Sequence, residues 1–509
     1  MDAIELGLFA SRIQAVCDEM GAVLRRTAFS PNIRDRLDYS CAVFDVHGDL
    51  VAQAAHIPVH LGSMAYAMAG VVAELDWTEG DMVVFNDPFL GGTHLPDVTL
   101  VAPVYHAGER VGFVANRAHH ADIGASSPGS MPISRRLEDE GQIIAPTRLV
   151  TAAGMESDVL DGIVGATRGG RAARGDFMAQ VSANRAGMLR LRELVDGLSP
   201  AGFAHALDAL NDYGERLARA TVGALPDGAY SFEDYMDDDG QGQTDIPIRA
   251  RVVIEGETVN VDFNGTAEQV AGNINCPLSV AAAAVFYVFR CLMPGQTPAC
   301  AGVFRNLTLE APRGCLLNAQ RPAAVAAGNV ETSTRIVDVI CGALAMAVPE
   351  LIPAASHGSM NNIAMGSVTS EGGWDYYETV GGGMGAGARG GGLSGVQTHM
   401  TNTLNTPVEV LEQHFPLRVE TYALRAGSGG TGKRAGGDGL VRTYRFLEPA
   451  TVTLLTERRR VGPWGRDGGC NGAPGVNRLN GGVVPGKCQL DVVAGDRVSL
   501  ETPGGGGWG

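Results

Sequence analysis

Glycine is the residue that most limits what this chain can fold into. It occupies 70 of the 509 positions, roughly twice its usual share in globular proteins. The glycines follow no three-residue period, which excludes a collagen-like helix, and they gather between apolar runs. Because glycine accepts positive φ angles and lets backbones approach closely, the sequence predicts a globular fold with many tight turns.

Charge and hydropathy exclude several classes of protein. A hydrophobic content of 45% with 19% charged residues is ordinary for a folded chain. The net charge of −17 offers no basic stripe to nucleic-acid phosphates and disfavours an anionic membrane surface. The longest apolar run, Pro277 to Phe289, is too short to span a bilayer. We therefore expect neither nucleic acid nor a membrane among the partners.

Cysteine usage and the N-terminal residues indicate the compartment. The nine cysteines are odd in number, and none forms a C-x-x-C pair. Most lie in apolar segments, as Cys41, Cys291 and Cys341 do, where a free thiol behaves as a small hydrophobic group. The first residues are acidic where a signal peptide is basic. These features predict a cytoplasmic protein.

Hydrophobic periodicity predicts a mixed α/β (α+β) fold. Residues 3–27 carry an apolar stripe at helical spacing, and alternating segments separated by turns predict strands. The predicted elements are a helix at 3–27, strands within 39–54, strands in DVTLVAPVY and RVGFVANRA, helix over 157–222, a hairpin around Gly256, and helices at 277–293 and 329–346.

The predicted organisation is one large body with several lobes, because the chain has no internal repeat and no long polar linker. The predicted parts are an N-terminal α/β part at 1–155, a helical segment at 156–227, an α/β middle part at 228–375, and a glycine-rich, β-rich C-terminal part at 376–509.

Histidines and aspartates concentrate in the segment NDPFLGGTHLPDVTLVAPVYHAGERVGFVANRAHHADIG. If its turn lies near residues 107–109, an antiparallel ladder pairs residues whose numbers sum to about 216. Asp97 then lies opposite His119, and directly opposed residues point to the same face. His94 precedes Asp97 by three residues, in the stretch that leads into the strand. The hairpin alone thus brings His94, Asp97 and His119 to one end.

Two imidazoles and a carboxylate suit a divalent ion such as Zn²⁺, Mn²⁺ or Fe²⁺ and leave positions open for water, as catalytic sites do. The simpler interpretation is that a histidine at a strand end caps a turn or donates to a carbonyl. His120 should point away from His119, so we place it beside the site or facing substrate. Asp122 is a candidate to orient His94 or His119, since ligating imidazoles usually donate their other N–H to an acceptor.

Six segments, spread in order over nearly the whole chain, resemble the motifs of one known family. GGTHLPDVT, RAHHADIG, HIPVHLGSM (56–64), GNVETSTRIVDV (328–339), GVQTHMTNTLNTPVEVLE (395–412) and the terminal TPGGGGWG resemble the hydantoinase B/oxoprolinase family. The family includes B subunits of ATP-dependent N-methylhydantoinases, the C-terminal part of 5-oxoprolinases, bacterial caprolactamase, and a subunit of acetone and acetophenone carboxylases.

The resemblance implies a hydrolase that opens a hydantoin, oxoproline or lactam ring and contains a metal. In such enzymes an A-type partner, or an N-terminal half, uses ATP and Mg²⁺ to phosphorylate the substrate's carbonyl oxygen. We therefore expect this chain to be a B subunit that needs an A partner, in an A2B2-like hetero-oligomer. The resemblance also implies that His94, Asp97 and His119 bind one divalent metal, and Asp122 or His120 is then the candidate general base.

Three further histidines and two glycine-rich segments each allow a functional and a structural interpretation. His56, His60 and His399 lie in shared segments, which favours substrate-binding positions near the metal; each also fits a structural, hydrogen-bonded histidine. The stretch 378–395 suits either a flexible lid or a tightly packed loop. Gly427–Lys433 nearly spells a P-loop, but the Ser or Thr that should follow is missing and AGGDG cannot open a helix, which predicts a structural turn.

Two other functions stay open at this point. One is a subunit of an ATP-dependent carboxylase of the acetone or acetophenone type, although THLPD and AHHAD resemble the hydrolase branch more closely. The other is a non-catalytic assembly subunit whose metal is structural. Asn329, Glu331 and Arg335 open an apolar helix and fit either its N-terminal cap or a wall of the site.

Overall fold

The computed structural model describes residues 1–54, 56–369 and 372–509. No helix within these described ranges is long and apolar enough to cross a membrane. The helices α1 to α9 span Ala3–Thr27, Pro31–Arg34, Pro58–Ala73, Ser157–Gly165, Gly170–Leu198, Pro200–Val222, Leu278–Leu292, Ser333–Ala347 and Val408–His414.

The strands confirm the mixed α/β class. They assemble, within the described residues, into sheets of seven, four, four and five strands. The strands β1 to β20 span Tyr39–Phe44, Leu50–Gln53, Met82–Phe85, Asp97–His106, Glu109–His119, Thr147–Thr151, Gly154–Met155, Gly228–Asp238, Thr244–Glu255, Thr258–Asp262, Leu307–Glu310, Asn362–Thr369, Gly372–Glu378, Leu417–Arg425, Gly439–Phe446, Ala450–Leu455, Val476–Leu479, Gly482–Val484, Lys487–Val492 and Arg497–Glu501.

The seven-stranded sheet has the order β2-β1-β5-β4-β3-β6-β7, and every pairing in it is antiparallel. The predicted hairpin forms its centre: Asp97 pairs with His119, and the register holds until an irregularity after Val104. Because β1 and β3 flank β5 and β4 on the outer sides, the hairpin is buried along most of its length. The metal-site prediction therefore concerns the interior of the protein.

Helices α1 and α5 cover one face of this sheet. Helix α1 begins at a capping box, in which Asp2 Oδ1 accepts from Glu5 N and Glu5 Oε2 accepts from Asp2 N, at 2.8 and 2.9 Å. Polar side chains fasten α5 to the hairpin. Gln180 Nε2 donates to Val98 O at 2.9 Å, and Asn184 Nδ2 donates to Leu100 O at 3.0 Å.

Three smaller sheets build the rest of the body. The sheet β11-β10-β9-β8 packs with α7 and α8 around an apolar cluster that also takes in Ile57 and Leu455. The sheets β13-β12-β16-β19 and β14-β15-β20-β17-β18 share a third cluster. The first of these two clusters contains both Ile57 and Leu455, which lie far apart in the chain. The middle and C-terminal parts therefore pack as one body.

The helical stretch predicted over 157–222 is three helices instead of one. The first break lies between Gly165 and Gly170. The second is at Ser199, whose φ of 65° is incompatible with a continuous helix, and whose hydroxyl accepts from Gly202 N at the start of α6. Pro200, which lacks the N–H that a continuing helix needs, occupies the first position of α6.

The predicted parts do not coincide with separate cores. One apolar cluster contains residues from both 1–155 and 156–227, and the boundary at 375 falls inside β13. The four-part division stays a prediction about lobes, while the description as a single body is confirmed.

Most of the glycine-rich stretch 378–395 is a packed loop, and its exposed part lies around Gly390. A side chain at Gly383 would overlap the backbone of Gly437 and Gly505, and one at Gly392 would overlap Met384 O. The near-P-loop turn Gly427–Lys433 lies in the same stack, between β14 and β15, with no helix after it among the described residues. Close backbone contact explains why glycine is so frequent here.

Candidate metal centre

His94, Asp97 and His119 meet in the interior. His94 Nε2 lies 3.0 Å from Asp97 Oδ1, and His119 Nδ1 lies 3.1 Å from the same oxygen. All three side chains are at most 3% exposed, and the ligand atoms lie within 4.8 Å of one another. The predicted cluster is therefore present as one compact group of two imidazoles and a carboxylate.

Local structure explains why the three residues converge. Asp97 begins β4 and His119 ends β5, so the ladder places them opposite each other. His94 precedes the strand in a bend that follows Gly91, whose φ of 101° favours glycine. Asp97 N donates to His94 O at 3.1 Å, and this turn brings the histidine ring back toward the strand end.

The second oxygen of Asp97 is held by three donors. Thr93 Oγ1 donates to Oδ2 at 2.7 Å, Asn329 Nδ2 donates at 3.2 Å, and His60 Nε2 lies at 3.1 Å. With Oδ2 committed in this way, Oδ1 is left facing the two histidines. Such outer contacts orient a carboxylate that ligates a metal.

His94 is oriented from its other nitrogen. Nδ1 donates to Ala326 O at 3.2 Å, which fixes the tautomer that keeps a lone pair on Nε2. The backbone at Ala326 is itself held by Glu140, whose Oε1 accepts from Ala326 N and Val325 N, both at 2.9 Å. Burial raises the pKa of Glu140 to about 7.

His119 lies between the hairpin and the C-terminal half. Its ring stacks on Tyr377 with centroids 4.5 Å apart and planes 19° from parallel. Tyr377 in turn donates from its hydroxyl to Asn362 Oδ1 at 2.6 Å, and Arg36 lies over its ring. Burial lowers the pKa of His119, which favours the neutral imidazole that a metal requires.

The residues present fit a divalent metal ion. Among the described residues, His94 Nε2 and His119 Nε2 are buried without a hydrogen-bond partner, which is costly for a polar atom. Metal–ligand bonds of about 2.0–2.2 Å place neighbouring ligand atoms roughly 3 Å apart, as His94 Nε2 and Asp97 Oδ1 are.

His120 and Asp122 lie apart from this group. His120 Nε2 lies 3.0 Å from Gln180 Oε1, and its ring contacts Phe177 on α5. Asp122 accepts from Gly124 N at 2.9 Å and pairs with Arg168. His120 therefore points away from His94 and Asp97, as its position after His119 predicts, and the buried Asp122 holds the backbone at Gly124. The structure does not bring either group to the three ligands, so the general-base role stays a prediction.

The three other predicted histidines occupy different places. His60, in the first turn of α3, contacts Asp97 directly. His56 packs edge-on against Tyr39, and burial lowers its pKa to about 4. His399 lines a separate cavity together with Pro58, two residues before His60. His60 thus orients the carboxylate of Asp97, while the substrate-binding roles of the three histidines stay predictions.

Several residues of the site could not be found from hairpin spacing. Asn329 lies in a π-helical turn, Gly328–Thr332, that precedes α8 and brings its amide to Asp97. Such turns often occur at functional sites. Glu331 accepts from Met360 N and Asn362 Nδ2 instead of capping a helix. Asp38 is a further residue that the hairpin spacing does not reveal. Its charge raises the pKa of His119 and so partly opposes the effect of burial. Asn329 and Asp38 reach the site through tertiary packing, and Glu331 supports Asn362, which accepts from the Tyr377 hydroxyl.

Comparison with known proteins shows which family the chain belongs to. The chain belongs to the hydantoinase B/oxoprolinase family, whose profile it matches over residues 2–509. It is 38% identical to an uncharacterised protein of Methanocaldococcus jannaschii, over all of this chain and 91% of that one. It is 36% identical to a 5-oxoprolinase of Dictyostelium discoideum, covering 40% of that protein, and 29% identical to the putative B-type subunit of a D-/L-hydantoinase of Pseudomonas sp., covering 90%.

Solved structures show the same fold. The ATP-dependent caprolactamase of Pseudomonas jessenii matches the whole of this chain and 91% of its own chain, with a TM-score of 0.92 and 26% identity. An acetone carboxylase chain matches with a TM-score of 0.88 over 76% of its length, at 18% identity, which shows the fold alone. The chain spans about two-fifths of the length of the 5-oxoprolinases it matches, and nearly the full length of the separate hydantoinase subunit.

Proposed function

We propose that this chain is the metal-carrying B subunit of an ATP-dependent amidohydrolase that opens a cyclic amide of the hydantoin, oxoproline or lactam type. The observation that carries the proposal is the convergence of His94 Nε2 and His119 Nδ1 on one oxygen of Asp97, at 3.0 and 3.1 Å in the interior. A cluster of this composition and burial is typical of a metal site with three protein ligands.

His94, Asp97 and His119 would hold the ion. When bound, a divalent ion lowers the pKa of water and polarises a carbonyl group. The surrounding residues orient the three ligands. Ala326 O fixes the tautomer of His94, and Asp97 Oδ2 is held by contacts with Thr93, Asn329 and His60. Burial of the whole group excludes bulk water and strengthens each of these interactions.

We assign ATP, with Mg²⁺, to an A-type partner that transfers the terminal phosphoryl group to the carbonyl oxygen, which releases ADP and makes the carbonyl carbon electrophilic. One water adds to that carbon, the ring C–N bond breaks, and the ring nitrogen takes up a proton, so that an acyl phosphate is formed. A second water releases inorganic phosphate and leaves the ring-opened carboxylate. The separate hydantoinase subunit of Pseudomonas sp. and the longer 5-oxoprolinases support a division between two subunits or two halves. An A2B2-like assembly is part of the proposal.

The test is an ATP-dependent ring-opening assay with the A-type partner supplied, together with elemental analysis of the purified chain. Hydantoin, 5-oxoproline and caprolactam would be screened as substrates. We expect about one divalent ion per chain and ATP hydrolysis coupled to ring opening. A metal-free chain that supports full turnover would contradict the proposal. ATP turnover that depends on bicarbonate would indicate a carboxylase instead.

A further inference from the structure

Arg117 places a guanidinium group in the interior, two residues before His119 on β5. Its side chain is fully buried, and it forms no ion pair with any carboxylate that the structure describes. Burying a charge without an ion pair costs free energy. Packing alone therefore does not explain an arginine at this position.

The guanidinium donates hydrogen bonds to three different segments. Nη1 donates to Ser63 Oγ at 2.7 Å, Nε donates to Thr99 Oγ1 at 2.8 Å, and Nη2 donates to Gly91 O at 2.9 Å. These acceptors lie on helix α3, on strand β4 and in the turn before β4. One planar group thus joins β5 to three other segments.

Two of the three segments carry a histidine of the site. Ser63 lies three residues after His60, on the same side of α3, and its hydroxyl donates back to His60 O at 3.0 Å. Gly91, with its φ of 101°, begins the bend that leads to His94. Arg117 therefore holds both the helix that carries His60 and the turn that carries His94.

The hairpin supplies the other two segments. Thr99 pairs with Arg117 across the ladder, and Asp97 pairs with His119. Because alternate residues of a strand share a face, both pairs lie on the same face, two residues apart. The bond from Arg117 Nε to Thr99 Oγ1 therefore fastens the two strands beside the ligand pair.

We propose that Arg117 is the positioning residue of the metal centre, because its guanidinium holds these four segments at the separations that a metal ion requires. A guanidinium is a rigid, planar fork and fixes the directions of its acceptors, which a lysine ammonium cannot do. All three of its hydrogen bonds go to residues other than the ligands, so it acts through the segments that carry them. The inference rests on the proposed function, which supplies the metal ion.

The test uses the full chain with Co²⁺ as the only metal, without partner or ATP. Affinity is measured by competition with a chelator, and the visible absorption of bound Co²⁺ reports its coordination geometry. Arg117→Lys keeps the charge and loses the fork, and Arg117→Met loses both. We expect both variants to bind Co²⁺ about tenfold more weakly or worse, with a shifted absorption band, as changes around metal ligands usually do.

The two variants separate geometry from charge. A guanidinium near a bound cation repels it, so removal of the charge alone would raise the affinity. Wild-type affinity in Arg117→Lys together with higher affinity in Arg117→Met would show that Arg117 acts only through its charge, and this result would overturn the inference.

Two controls exclude general destabilisation. Arg110→Lys changes an arginine at the far end of β5. Leu191→Ala leaves a cavity in α5 beside Arg192, which donates to Tyr105 O at that same end of the hairpin. Leu191→Ala should lower Tm, and both controls should keep the wild-type Co²⁺ affinity and absorption.

Ser63→Ala removes one of the three acceptors and leaves Arg117 in place. It should weaken Co²⁺ binding severalfold, which keeps the inference testable if Arg117→Met does not fold. Equal affinity and absorption in the wild-type chain, Arg117→Lys and Ser63→Ala would overturn the inference. An equal loss of affinity in Leu191→Ala, or a wild-type chain that binds no Co²⁺, would overturn it as well.

The two proposals fail separately. Co²⁺ binding that depends on Arg117, without ATP-dependent ring opening, would remove the proposed function and leave the positioning role standing. Ring opening together with wild-type Co²⁺ affinity and absorption in Arg117→Lys would remove the positioning role and leave the proposed function standing.

Discussion

Asp97 and His119 lie directly opposite each other across the β4–β5 ladder, and His119 Nδ1 is 3.1 Å from Asp97 Oδ1. The hairpin fixes this pair because opposed residues share a face. His94 completes the cluster from the turn before β4, and Ala326, Thr93 and other outer residues orient the ligands. The site therefore depends on one rigid hairpin and on the packing of the middle part against it.

Glu140 is predicted to position His94 through the backbone. Its Oε1 accepts from Val325 N and Ala326 N, and Ala326 O accepts from His94 Nδ1. In Glu140→Gln one acceptor oxygen is replaced by a donor, so this backbone should shift. We expect metal affinity to fall about tenfold, since outer-shell changes usually cost 10- to 100-fold, measured by competition with a chelator.

The matched control for that prediction is Glu138→Gln, because Glu138 lies two residues away on the surface. It should bind metal as the wild-type chain does. Equal metal affinity in Glu140→Gln and Glu138→Gln would show that the contact with the Ala326 backbone does not matter for His94.

Glu331 is predicted to make stability depend on pH. Burial and then the charge of Glu457 raise its pKa from 4.5 to about 8. A carboxyl group with a higher pKa in the folded chain binds its proton more tightly there, so its contribution is present below pH 4.5 and lost as pH rises toward 8. In Glu331→Gln, which cannot ionise, the free energy of unfolding should fall less over this range.

Chemical denaturation at several pH values checks the prediction, with Glu310→Gln on the exposed side of β11 as the control. The control should keep the wild-type slope of stability against pH. A slope in Glu331→Gln as steep as in the wild-type chain would mean that Glu331 is ionised in the folded protein.

Much of the fold follows from local pattern, and the hairpin shows why. Alternating apolar residues and a short turn set the register of β4 and β5, which predicts the Asp97–His119 pair. The apolar stripe of helix α1 predicts it in the same way, and the helix lies at Ala3–Thr27 as expected. These elements depend on neighbours in the sequence.

What could not be predicted depends on distant packing. Asn329 reaches Asp97 across 232 positions of the chain, and Tyr377 stacks on His119 from another sheet. No local period encodes such contacts. The break at Ser199 could have been found, because Pro200 follows it, but the apolar stripe of the flanking helices concealed it.

The glycine-rich loop is predicted to tolerate side chains very unevenly. In Gly383→Ala the new methyl group would overlap the backbone of Gly437 and Gly505, whereas Gly390 has open space around it. Overpacking against backbone costs about 1–3 kcal/mol or more. We expect Gly383→Ala to lower Tm clearly and Gly390→Ala to leave it nearly unchanged in thermal unfolding. Equal Tm values would mean that the loop opens readily.

His60 is predicted to orient Asp97 without ligating the metal. Its Nε2 lies 3.1 Å from Asp97 Oδ2, whereas His94 and His119 contact the other oxygen, Oδ1. In His60→Ala one of three contacts to Oδ2 is lost, so metal affinity should fall about tenfold while about one ion per chain still binds at saturation. Elemental analysis at high and low metal concentration separates this weakening from the loss of a ligand.

The most direct test compares His94→Ala with His106→Ala in metal content and ATP-dependent ring opening, with the A-type partner present. His106 lies at the far end of the same hairpin and pairs with Asp196 at the surface, so it is the matched control. We predict that His94→Ala loses the metal and at least about 100-fold of turnover while remaining folded, and that His106→Ala keeps both. Full turnover in His94→Ala would contradict a catalytic metal at this site.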